Sequence, residues 1–329
     1  MIDKTKIHNI LFITLSNIGD VVLTLPVLGV LKREFPEAKF TVMVSPRAKE
    51  IFQNDPAISK IISYDKHISL FEKLRLGLRL RKKNFDLVVD LRSTLYPLLI
   101  NAAYRTKLLN KMQKARVHKR YAHLSKLKSL GINIEDASYK LLFNDDNKRN
   151  MDTLLKQLNM SQEDKIIAVA PGAKSHTKQW QVSGFARLCQ KLNKELGLKV
   201  LLVGTSDDKE TISQVLSAGL NDTYDISART SIYELAYLLS KCRLLITNDS
   251  APMHIADIVD IASVAIFGPT DYIKYRPMKS DSIVIRKDLN CSPCERAQCE
   301  FNLECMKGVT VDEVFEAVKG LLRYSVQAQ

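Results

Sequence analysis

A short apolar run, a tight loop and a helix near the amino terminus constrain most strongly what this chain can fold into. Residues 10–15 are apolar and rich in β-formers, residues 16–19 have the composition of a turn, and residues 20–31 are again apolar over the length of a helix. In an open parallel α/β sheet, such a loop lies at the carboxyl end of a strand, where ligands bind and the helix start offers free N–H groups. We therefore expect Asp20 to lie at a ligand-binding crevice.

A cap of the following helix is the alternative role for the polar residues of this loop. Ser16, Asn17 and Asp20 are residue types that accept hydrogen bonds from the first N–H groups of a helix, and that is their more frequent role. The spacing alone does not separate a cap from a catalytic carboxylate, so the choice depends on the rest of the chain.

Strand and helix patterns alternate along the whole sequence, which predicts an α/β protein. In the first half, the pattern predicts strands at 39–44, 58–63 and 85–91, helices near 48–53 and at 71–83, and a basic helical stretch at 95–130. In the second half, it predicts strands at 165–170, 199–204, 244–247 and 263–267, and helices at 182–196, 208–218 and 231–241. Because 329 residues exceed one ordinary core, we predict two α/β domains, 1–155 and 156–310, that face each other across a cleft. The break between them lies at the polar residues 144–150 or just after the short helix that follows them.

The basic excess of the chain lies entirely in its first half. Residues 1–150 hold 28 Lys and Arg against 14 Asp and Glu, whereas residues 151–329 hold 21 against 22. Residues 92–134 contain ten basic residues and no carboxylate, and residues 73–83 contain six more basic residues. A field of this kind indicates an anionic partner. Nucleic acid, an acidic membrane surface and an anionic glycolipid all fit it, and a solvated helix face is the alternative without a partner.

Hydrophobicity along the chain favours a protein without a membrane span. No apolar run reaches the roughly 18 residues that a span needs, and Asp20 interrupts the amino-terminal apolar stretch. We therefore expect neither a transmembrane helix nor a signal peptide, and the cytoplasm is the expected compartment.

Three loops of the second half follow predicted strands and are candidate ligand sites. Residues 171–180 form a glycine-containing loop with two lysines, which suits phosphate oxygens. Residues 204–208 place the Asp208 carboxylate where it could meet ribose hydroxyls. Residues 248–254 open a helix at Pro252, and a well-capped helix start is their simplest interpretation. In the first half, Arg92 follows the strand at 85–91 and is either a residue of the Asp20 crevice or a surface salt-bridge partner.

The usual nucleotide-binding fingerprints are missing from the sequence. It contains no Gly-x-x-x-x-Gly-Lys-Ser/Thr, no Gly-x-Gly-x-x-Gly and no Asp-x-Asp. An enzyme without the metal-chelating Asp-x-Asp pair would have to stabilise a diphosphate leaving group with lysine and helix amino ends.

Five motifs occur together in a specific order and spacing over nearly the whole chain. They are Ser-Asn-Ile-Gly-Asp at 16–20 with the apolar residues to 27, Pro-Gly-Ala at 171–173 with Lys178 and Trp180, and residues 248–256, 267–270 and 291–294. This set resembles glycosyltransferase family 9, the ADP-heptose:lipopolysaccharide heptosyltransferases. The resemblance implies a GT-B fold of two Rossmann-like domains. The amino-terminal domain would bind the acceptor, the carboxyl-terminal domain would bind the nucleotide sugar, and the last helix, residues 311–329, would return to the first domain.

The resemblance also implies an activity and a set of site residues. The enzyme would transfer a heptose from ADP-heptose to the lipopolysaccharide inner core, with inversion and without a required cofactor. Asp20 would be the catalytic base and Lys178 would stabilise the departing diphosphate. The other implied donor-binding residues are Gly172, Ala173, Asp208, Asp249, Ser250, Ala251, Pro252, Met253 and His254. The implied acceptor-binding residues are Ser16, Asn17, Gly19 and Arg92.

Under this interpretation the basic first half meets the anionic lipopolysaccharide core and the inner membrane at its cytoplasmic face, and no nucleic acid is bound. One alternative is the same fold and class with another nucleotide sugar and another surface-glycan acceptor. An alternative of another class is a non-catalytic, basic nucleic-acid-binding protein.

The sequence departs from the family pattern at Thr14, Ala170 and Ala251, where the family commonly has Arg, His and Gly. Ala251 matters most, because a β-carbon limits how closely the backbone approaches a diphosphate.

Four cysteines cluster near the carboxyl terminus: Cys291, Cys294, Cys299 and Cys305. In a cytoplasmic protein such thiols suggest a structural zinc or iron–sulfur site more than disulfides, although their spacing matches no standard site closely. No catalytic metal is expected.

Overall fold

The computed structural model describes residues 2–65, 67–108, 116–161 and 163–327, with side chains described up to residue 323. The chain forms two compact units, Met1–Leu142 and Phe143–Gln329. Each unit contains its own parallel sheet, which confirms the prediction of two α/β halves. None of the described helices combines the length and the apolar character that crossing a bilayer requires.

The first unit is built around a sheet whose described strands all pair in parallel. The strands are β1 (Asn9–Ile13), β2 (Lys39–Val44), β3 (Ile58–Ser63), β4 (Leu87–Asp90) and β5 (Tyr104–Arg105), in the order β3-β2-β1-β4-β5. The described helices are α1 (Ile18–Glu34), α2 (Leu70–Arg81), α3 (Tyr96–Leu99) and α4 (Lys119–Lys128), with 3-10 turns at Lys4–Lys6 and Pro46–Phe52.

Burial explains why the first strand and helix form the centre of this unit. Ile10, Leu11, Phe12 and Ile13 are fully buried in β1, which lies between β2 and β4. Helix α1 is buried along most of its length, as its nearly continuous apolar sequence predicts. The loops after β1, β2 and β4 therefore lie side by side at one edge of the sheet.

The second unit repeats this plan with a larger sheet. Its described strands are β6 (Ile166–Ala170), β7 (Lys199–Leu202), β8 (Thr223–Asp225), β9 (Leu245–Asn248), β10 (Ser263–Phe267) and β11 (Ile283–Arg286), in the parallel order β11-β10-β9-β6-β7-β8. Its described helices are α5 (Asp145–Gln157), α6 (Val182–Leu196), α7 (Lys209–Leu216), α8 (Ile232–Lys241), α9 (Ala251–Ile258), α10 (Tyr272–Tyr275), α11 (Glu304–Lys307) and α12 (Val311–Gln327), with 3-10 turns at His176–Lys178 and Ser206–Asp208.

The division between the units falls between Leu142 and Phe143, whereas the sequence placed the boundary at 155/156. Residues 144–150 look like a polar break, but Asn144 caps α5 by accepting a hydrogen bond from the Asn147 N–H at 2.8 Å. Helix α5 belongs to the second unit because it buries Met151 and Leu154 and packs against α8. The boundary thus lies just before the polar residues 144–150, and the amphipathic helix that contains most of them belongs to the second unit.

The described part of the last helix packs on the core of the second unit. In the described part of α12, Val314, Phe315 and Val318 are buried in the apolar core of the second unit. Helix α12 packs against α6, β10 and β11. These contacts anchor the described part of the helix on the second unit, and its return to the first domain stays a prediction.

Three short strands are additional to those predicted, namely β5, β8 and β11. Strand β5 and helices α3 and α4 replace the continuous helical stretch expected over 95–130. Residues 109–115 of that stretch lie outside the described residues.

Candidate active site

Two predicted loops of the second unit meet because the strands before them are neighbours. Strand β6 pairs with β9, and Ala170 lies opposite Thr247 at the carboxyl end of both strands. Asn248 joins the two loops: its Nδ2 donates to the Pro171 carbonyl oxygen at 2.7 Å, and its Oδ1 accepts from the Trp180 N–H at 3.0 Å. Asn248 is fully buried, so these hydrogen bonds hold the phosphate-loop candidate against the start of α9 in a fixed position.

Lys178 and Asp249 form an ion pair at this junction. Lys178 Nζ donates to Asp249 Oδ2 at 2.7 Å, and the lysine side chain is 34% exposed while that of Asp249 is 7% exposed. The carboxylate thus holds a cation whose outer side remains open to solvent. Such an ammonium group, next to a helix amino terminus, can contact a second anion without moving far.

Trp180 anchors the other end of the same loop. Its ring is buried and packs edge-to-face on Phe185, and its Nε1 donates to the Val309 carbonyl oxygen at 2.9 Å. A β-carbon at Gly184 would lie 2.8 Å from the Trp180 ring, so a glycine leaves room for this packing. The indole therefore fixes the backbone two residues after Lys178.

The Asp208 carboxylate lies beside the glycine of the first loop. Its Oδ2 accepts hydrogen bonds from the Thr205 N–H at 2.8 Å and from Thr205 Oγ1 at 2.9 Å, in a capping box. A β-carbon placed on Gly172 would lie 1.9 Å from Asp208 Oδ1, so only glycine allows this approach. The structure brings together the loops after β6 and β7, as the predicted donor site requires.

Helix α9 begins at Ala251, with Ser250 as its N-cap residue and Pro252 in its first turn. The Ser250 hydroxyl lies 3.0 Å from Thr247 Oγ1. The first N–H groups of a helix have no intrahelical acceptor, and they carry the positive end of the helix dipole. Ala251, where the resemblance implies glycine, is the first residue of this helix.

Two residues predicted to bind the donor are buried beneath this helix start. Met253 is fully buried in an apolar cluster with Ala265 and Phe267, and His254 is 5% exposed. The Met253 side chain thus supports the helix from below by packing on β10. His254 is buried beside it, and its role in ordering the loop stays a prediction.

The loop after β1 in the first unit holds the predicted base. Asp20 lies in the first turn of α1 and is half-buried, and its Oδ2 accepts a hydrogen bond from Asn17 Nδ2 at 2.9 Å. Asn17 is the N-cap residue by position, yet its side chain makes no capping bond to the helix. Ser45, which follows β2, donates its hydroxyl to the Ser16 carbonyl oxygen at 2.6 Å and so fixes the loop before α1, whose second residue is Gly19.

The loop after β4 holds Arg92 in a second fixed position of the first unit. Asp90 accepts hydrogen bonds through Oδ1 from the Arg92 N–H at 2.8 Å and through Oδ2 from the Thr94 N–H at 2.6 Å. The guanidinium of Arg92 lies 4.8 Å from the centre of the Tyr64 ring, in a cation–π arrangement. Because Asp90 pairs with Ile13 across β4 and β1, the Arg92 loop lies beside the Asp20 loop.

A buried lysine supports the Arg92 loop and was not identified from the sequence. Lys126 is 1% exposed, and its Nζ donates to the Asp90 carbonyl oxygen at 2.6 Å and to Ser93 Oγ at 3.1 Å. Burial lowers the pKa of Lys126, and burial raises the pKa of Asp90 against the hydrogen bonds from Thr94. In a stretch rich in basic residues, no sequence signal separates this lysine from its exposed neighbours.

The four clustered cysteines line one cavity of about 700 Å³ in the second unit. All are unpaired thiols, and Cys299 Sγ accepts hydrogen bonds from the Phe301 and Leu303 N–H groups at 3.3 Å each. Burial raises the pKa of the Cys305 thiol, and the other three thiols raise it further. No three His, Cys, Asp or Glu side chains among the described residues are arranged as ligands of one metal ion.

Comparison with known proteins identifies the family. Residues 73–304, more than two thirds of the chain, match the model of glycosyltransferase family 9 (heptosyltransferase). Lipooligosaccharide heptosyltransferase 2 of Campylobacter jejuni is 29% identical over 317 residues, which cover 94% of this chain and 96% of the relative. Lipopolysaccharide heptosyltransferase 2 of Salmonella typhimurium is 26% identical over 306 residues, which cover 84% of this chain and 87% of that one.

Solved structures show the same fold. A glycosyltransferase family 9 protein from Veillonella parvula superposes with a TM-score of 0.83 at 20% identity, covering 98% of this chain and 99% of that one. ADP-heptose LPS heptosyltransferase II of E. coli superposes with a TM-score of 0.76 at 23% identity, covering 96% and 99%. The two Rossmann-like units are thus those of a GT-B glycosyltransferase. By its matched motifs and its fold, the chain belongs to glycosyltransferase family 9, the heptosyltransferase family.

Proposed function

We propose that this glycosyltransferase moves a heptose from ADP-heptose to an acceptor hydroxyl of the lipopolysaccharide inner core. The observation that carries the proposal is the Lys178–Asp249 ion pair, which lies directly before the start of α9. A cation and a helix amino terminus that are held together suit a diphosphate leaving group. The names of the heptosyltransferase 2 relatives supply the sugar and the type of acceptor.

The second unit would bind the donor. The diphosphate would lie between Lys178 Nζ and the N–H groups at Ser250 and Ala251, with the 171–173 backbone beside it. Asp208, next to Gly172, would accept hydrogen bonds from ribose hydroxyls. Asp249 would orient Lys178 and meet a sugar hydroxyl, and His254 would order the loop from within. Pro252 would contribute a preset helical φ angle.

The first unit would bind the acceptor through Ser16, Asn17, Gly19 and Arg92, with Asp20 as the base. The acceptor oxygen would attack the anomeric carbon from the face opposite to ADP, so that the new glycosidic bond forms as the bond to the diphosphate breaks. One displacement of this kind inverts the anomeric configuration. The proton of the acceptor hydroxyl would pass to Asp20, which needs to accept it only late, as charge develops at the anomeric carbon.

The proposed place of action is the cytoplasmic face of the inner membrane, with peripheral contact. The basic excess of residues 1–150 supports this proposal, because an anionic glycolipid and an anionic bilayer offer the complementary charge. Nucleic acid would also offer charge complementary to this basic excess. Its binding, however, would give the Lys178–Asp249 ion pair no function.

The function is tested by measuring transfer with purified protein, lipopolysaccharide acceptor lacking the heptose, and a panel of ADP-, UDP- and GDP-sugars. We expect ADP-heptose to be the preferred donor and the activity to survive EDTA.

Lys178→Met should lower kcat about 100- to 1,000-fold, as expected when a charge-stabilising donor is removed. Lys194→Met, at an exposed position of α6, is the matched control and should leave kcat unchanged. Preference for another nucleotide, or full activity of Lys178→Met, would refute the proposal.

We propose that the four clustered cysteines have a structural role, in which they bind zinc or an iron–sulfur cluster. The shared cavity and the two N–H bonds to Cys299 Sγ support it, although the thiols would have to draw together around a metal. Metal analysis should then find about one zinc ion or about two to four iron atoms per chain, and Cys291→Ser with Cys294→Ser should lower the Tm but leave kcat intact. If the purified protein contained no metal and the double variant had an unchanged Tm, a structural metal would be excluded.

A further inference from the structure

Exposed apolar side chains are concentrated on two helices of the first unit. Among the described residues, ten large apolar side chains are exposed, and seven of them belong to α2 and to the segment 95–99. Exposure is greatest at Leu70 with 83% and at Phe71 with 73%. We call these seven residues the apolar ridge: Leu70, Phe71, Leu74, Leu78, Leu95, Leu98 and Leu99. A concentration of this kind marks an interaction surface, whereas scattered single residues would need no explanation.

The ridge is one continuous surface formed by both helices. On α2, Leu70, Leu74 and Leu78 recur every four residues and so lie along one side of the helix, and the buried Gly77, three residues after Leu74, lies next to them. A β-carbon on Gly77 would lie 2.9 Å from Leu99 Cδ1, so a glycine lets α3 pack closely beside α2. The exposed leucines of α3 thereby extend the apolar side of α2.

Basic residues follow the ridge along α2. Arg75, Arg79 and Lys82 are exposed and recur at helical spacing next to Leu74 and Leu78. Glu72 is the one carboxylate within the sequence of α2, and it accepts hydrogen bonds from the Ser69 N–H and hydroxyl in a capping box. The exposed surface of α2 thus combines an apolar stripe with an adjacent cationic stripe.

We propose that the apolar ridge, with Arg75, Arg79 and Lys82, docks the protein on an anionic lipid bilayer. An apolar stripe bordered by cations is the pattern of helices that lie in the interface of a membrane, where apolar side chains enter the acyl boundary and cations meet lipid phosphates. A second copy of the chain is disfavoured, because a two-fold contact through this surface would bring two cationic stripes together.

The location of the ridge connects docking to the acceptor site. Leu95 lies three residues after Arg92, and Tyr96, which packs on Tyr64, is in the same segment. Docking would therefore hold the Arg92 loop at the lipid surface. This inference rests on the proposed function only for the idea that the acceptor is membrane-anchored.

Vesicle flotation with the full-length protein, without donor or acceptor, tests the proposal. Vesicles of phosphatidylethanolamine with phosphatidylglycerol should bind the protein much more strongly than vesicles of phosphatidylcholine alone. Phe71→Ser with Leu78→Ser should weaken binding at least about tenfold by removing apolar insertion. Arg75→Gln with Arg79→Gln and Lys82→Gln should weaken binding to the anionic vesicles about a hundredfold, from the loss of three charges near the surface.

Two control variants separate docking from general effects. Leu142→Ser changes another exposed leucine of the first unit and should leave binding unchanged. Lys156→Gln with Lys194→Gln and Lys209→Gln removes three exposed charges from the second unit and should have little effect. Equal binding by the wild type and the Phe71/Leu78 variant would overturn the proposal. Loss of a dimer in sedimentation, with vesicle binding intact, would assign the ridge to a second copy instead.

Transfer to a delipidated, water-soluble acceptor distinguishes failure of docking from failure of the proposed function. The Phe71/Leu78 variant should retain wild-type transfer to this acceptor and lose transfer to vesicle-bound acceptor. If the wild type transferred no sugar but bound anionic vesicles through the ridge, the proposed function would fail and the docking surface would stand.

Discussion

At the scale of single residues, the candidate sites depend on polar contacts that bring distant parts of the chain together. Lys178 meets Asp249 across 71 residues of sequence, and Lys126 meets Ser93 across 33. The motifs located Lys178 and Asp249 at the ends of two strands, and the pairing of those strands then explains their contact. No comparable signal existed for Lys126, because only the packing of α4 decides which lysine of a basic stretch is buried.

Lys126 gives a prediction about positioning. Lys126→Met keeps most of the side-chain volume but removes the hydrogen bonds to the Asp90 carbonyl and Ser93 Oγ that hold the Arg92 loop. Since a hydrogen bond from a charged group contributes about 1.5–3 kcal/mol, we expect the acceptor KM to rise about tenfold or more while the donor KM stays constant. Steady-state kinetics with each substrate varied in turn provides the measurement.

Lys128→Met is the control for this prediction, because Lys128 is exposed two residues further along the same helix. If Lys126→Met and Lys128→Met had the same acceptor KM, Lys126 would have no positioning role.

At the scale of elements, helix α4 makes the free energy of unfolding of the first unit depend on pH. His123 is buried, and burial, together with the charges of Lys126, Lys119 and His118, lowers its pKa from 6.5 to about 4. Below pH 6.5 the unfolded chain binds a proton at His123 that the folded protein does not bind until about pH 4. The free energy of unfolding should therefore decrease as the pH falls through this window, by about 3 kcal/mol from this residue.

His123→Leu tests this assignment by removing the titrating group from the same position. Urea unfolding at several pH values between 6.5 and 4 should show a smaller loss of stability for the variant than for the wild type. Parallel pH dependences would mean that other groups cause the loss.

The accuracy of the sequence-based prediction differed between central and edge elements. Strand β10 and helix α6 begin and end at the predicted residues, because continuous apolar burial or a strong helical period defines them. The strands that were missed, β5, β8 and β11, each lie at an edge of their sheet and have two to four residues. Edge strands are short and half-exposed, so their sequences contain little of the apolar pattern that identifies a strand.

At the scale of the whole molecule, the division of charge predicts different salt responses for the two substrates. Residues 1–150 contain the entire basic excess, and exposed charges are screened as the Debye length falls to roughly 3 Å at 1 M salt. The KM for a water-soluble acceptor should therefore rise strongly with salt. Binding of ADP should weaken much less, because it depends on a few enclosed contacts at Lys178 and the start of α9.

Calorimetric titration of ADP and kinetic titration of acceptor, each at low and at high salt, compare these responses. The same proportional weakening of both substrates would contradict the assignment of acceptor and donor to different units.

The proposed heptose transfer depends on Asp20 as the base that accepts the proton of the acceptor hydroxyl. Asp20→Asn keeps a hydrogen-bonding side chain in the first turn of α1 beside Asn17 but removes the proton acceptor. Asp145→Asn makes the same change in the first turn of α5, at an exposed carboxylate far along the chain, and serves as the control. The most direct measurement is kcat for heptose transfer from ADP-heptose by both variants, with Tm recorded alongside. We predict a loss of about 100- to 10,000-fold for Asp20→Asn at an unchanged Tm, and wild-type turnover for Asp145→Asn. Turnover near the wild-type value in Asp20→Asn would contradict the central claim.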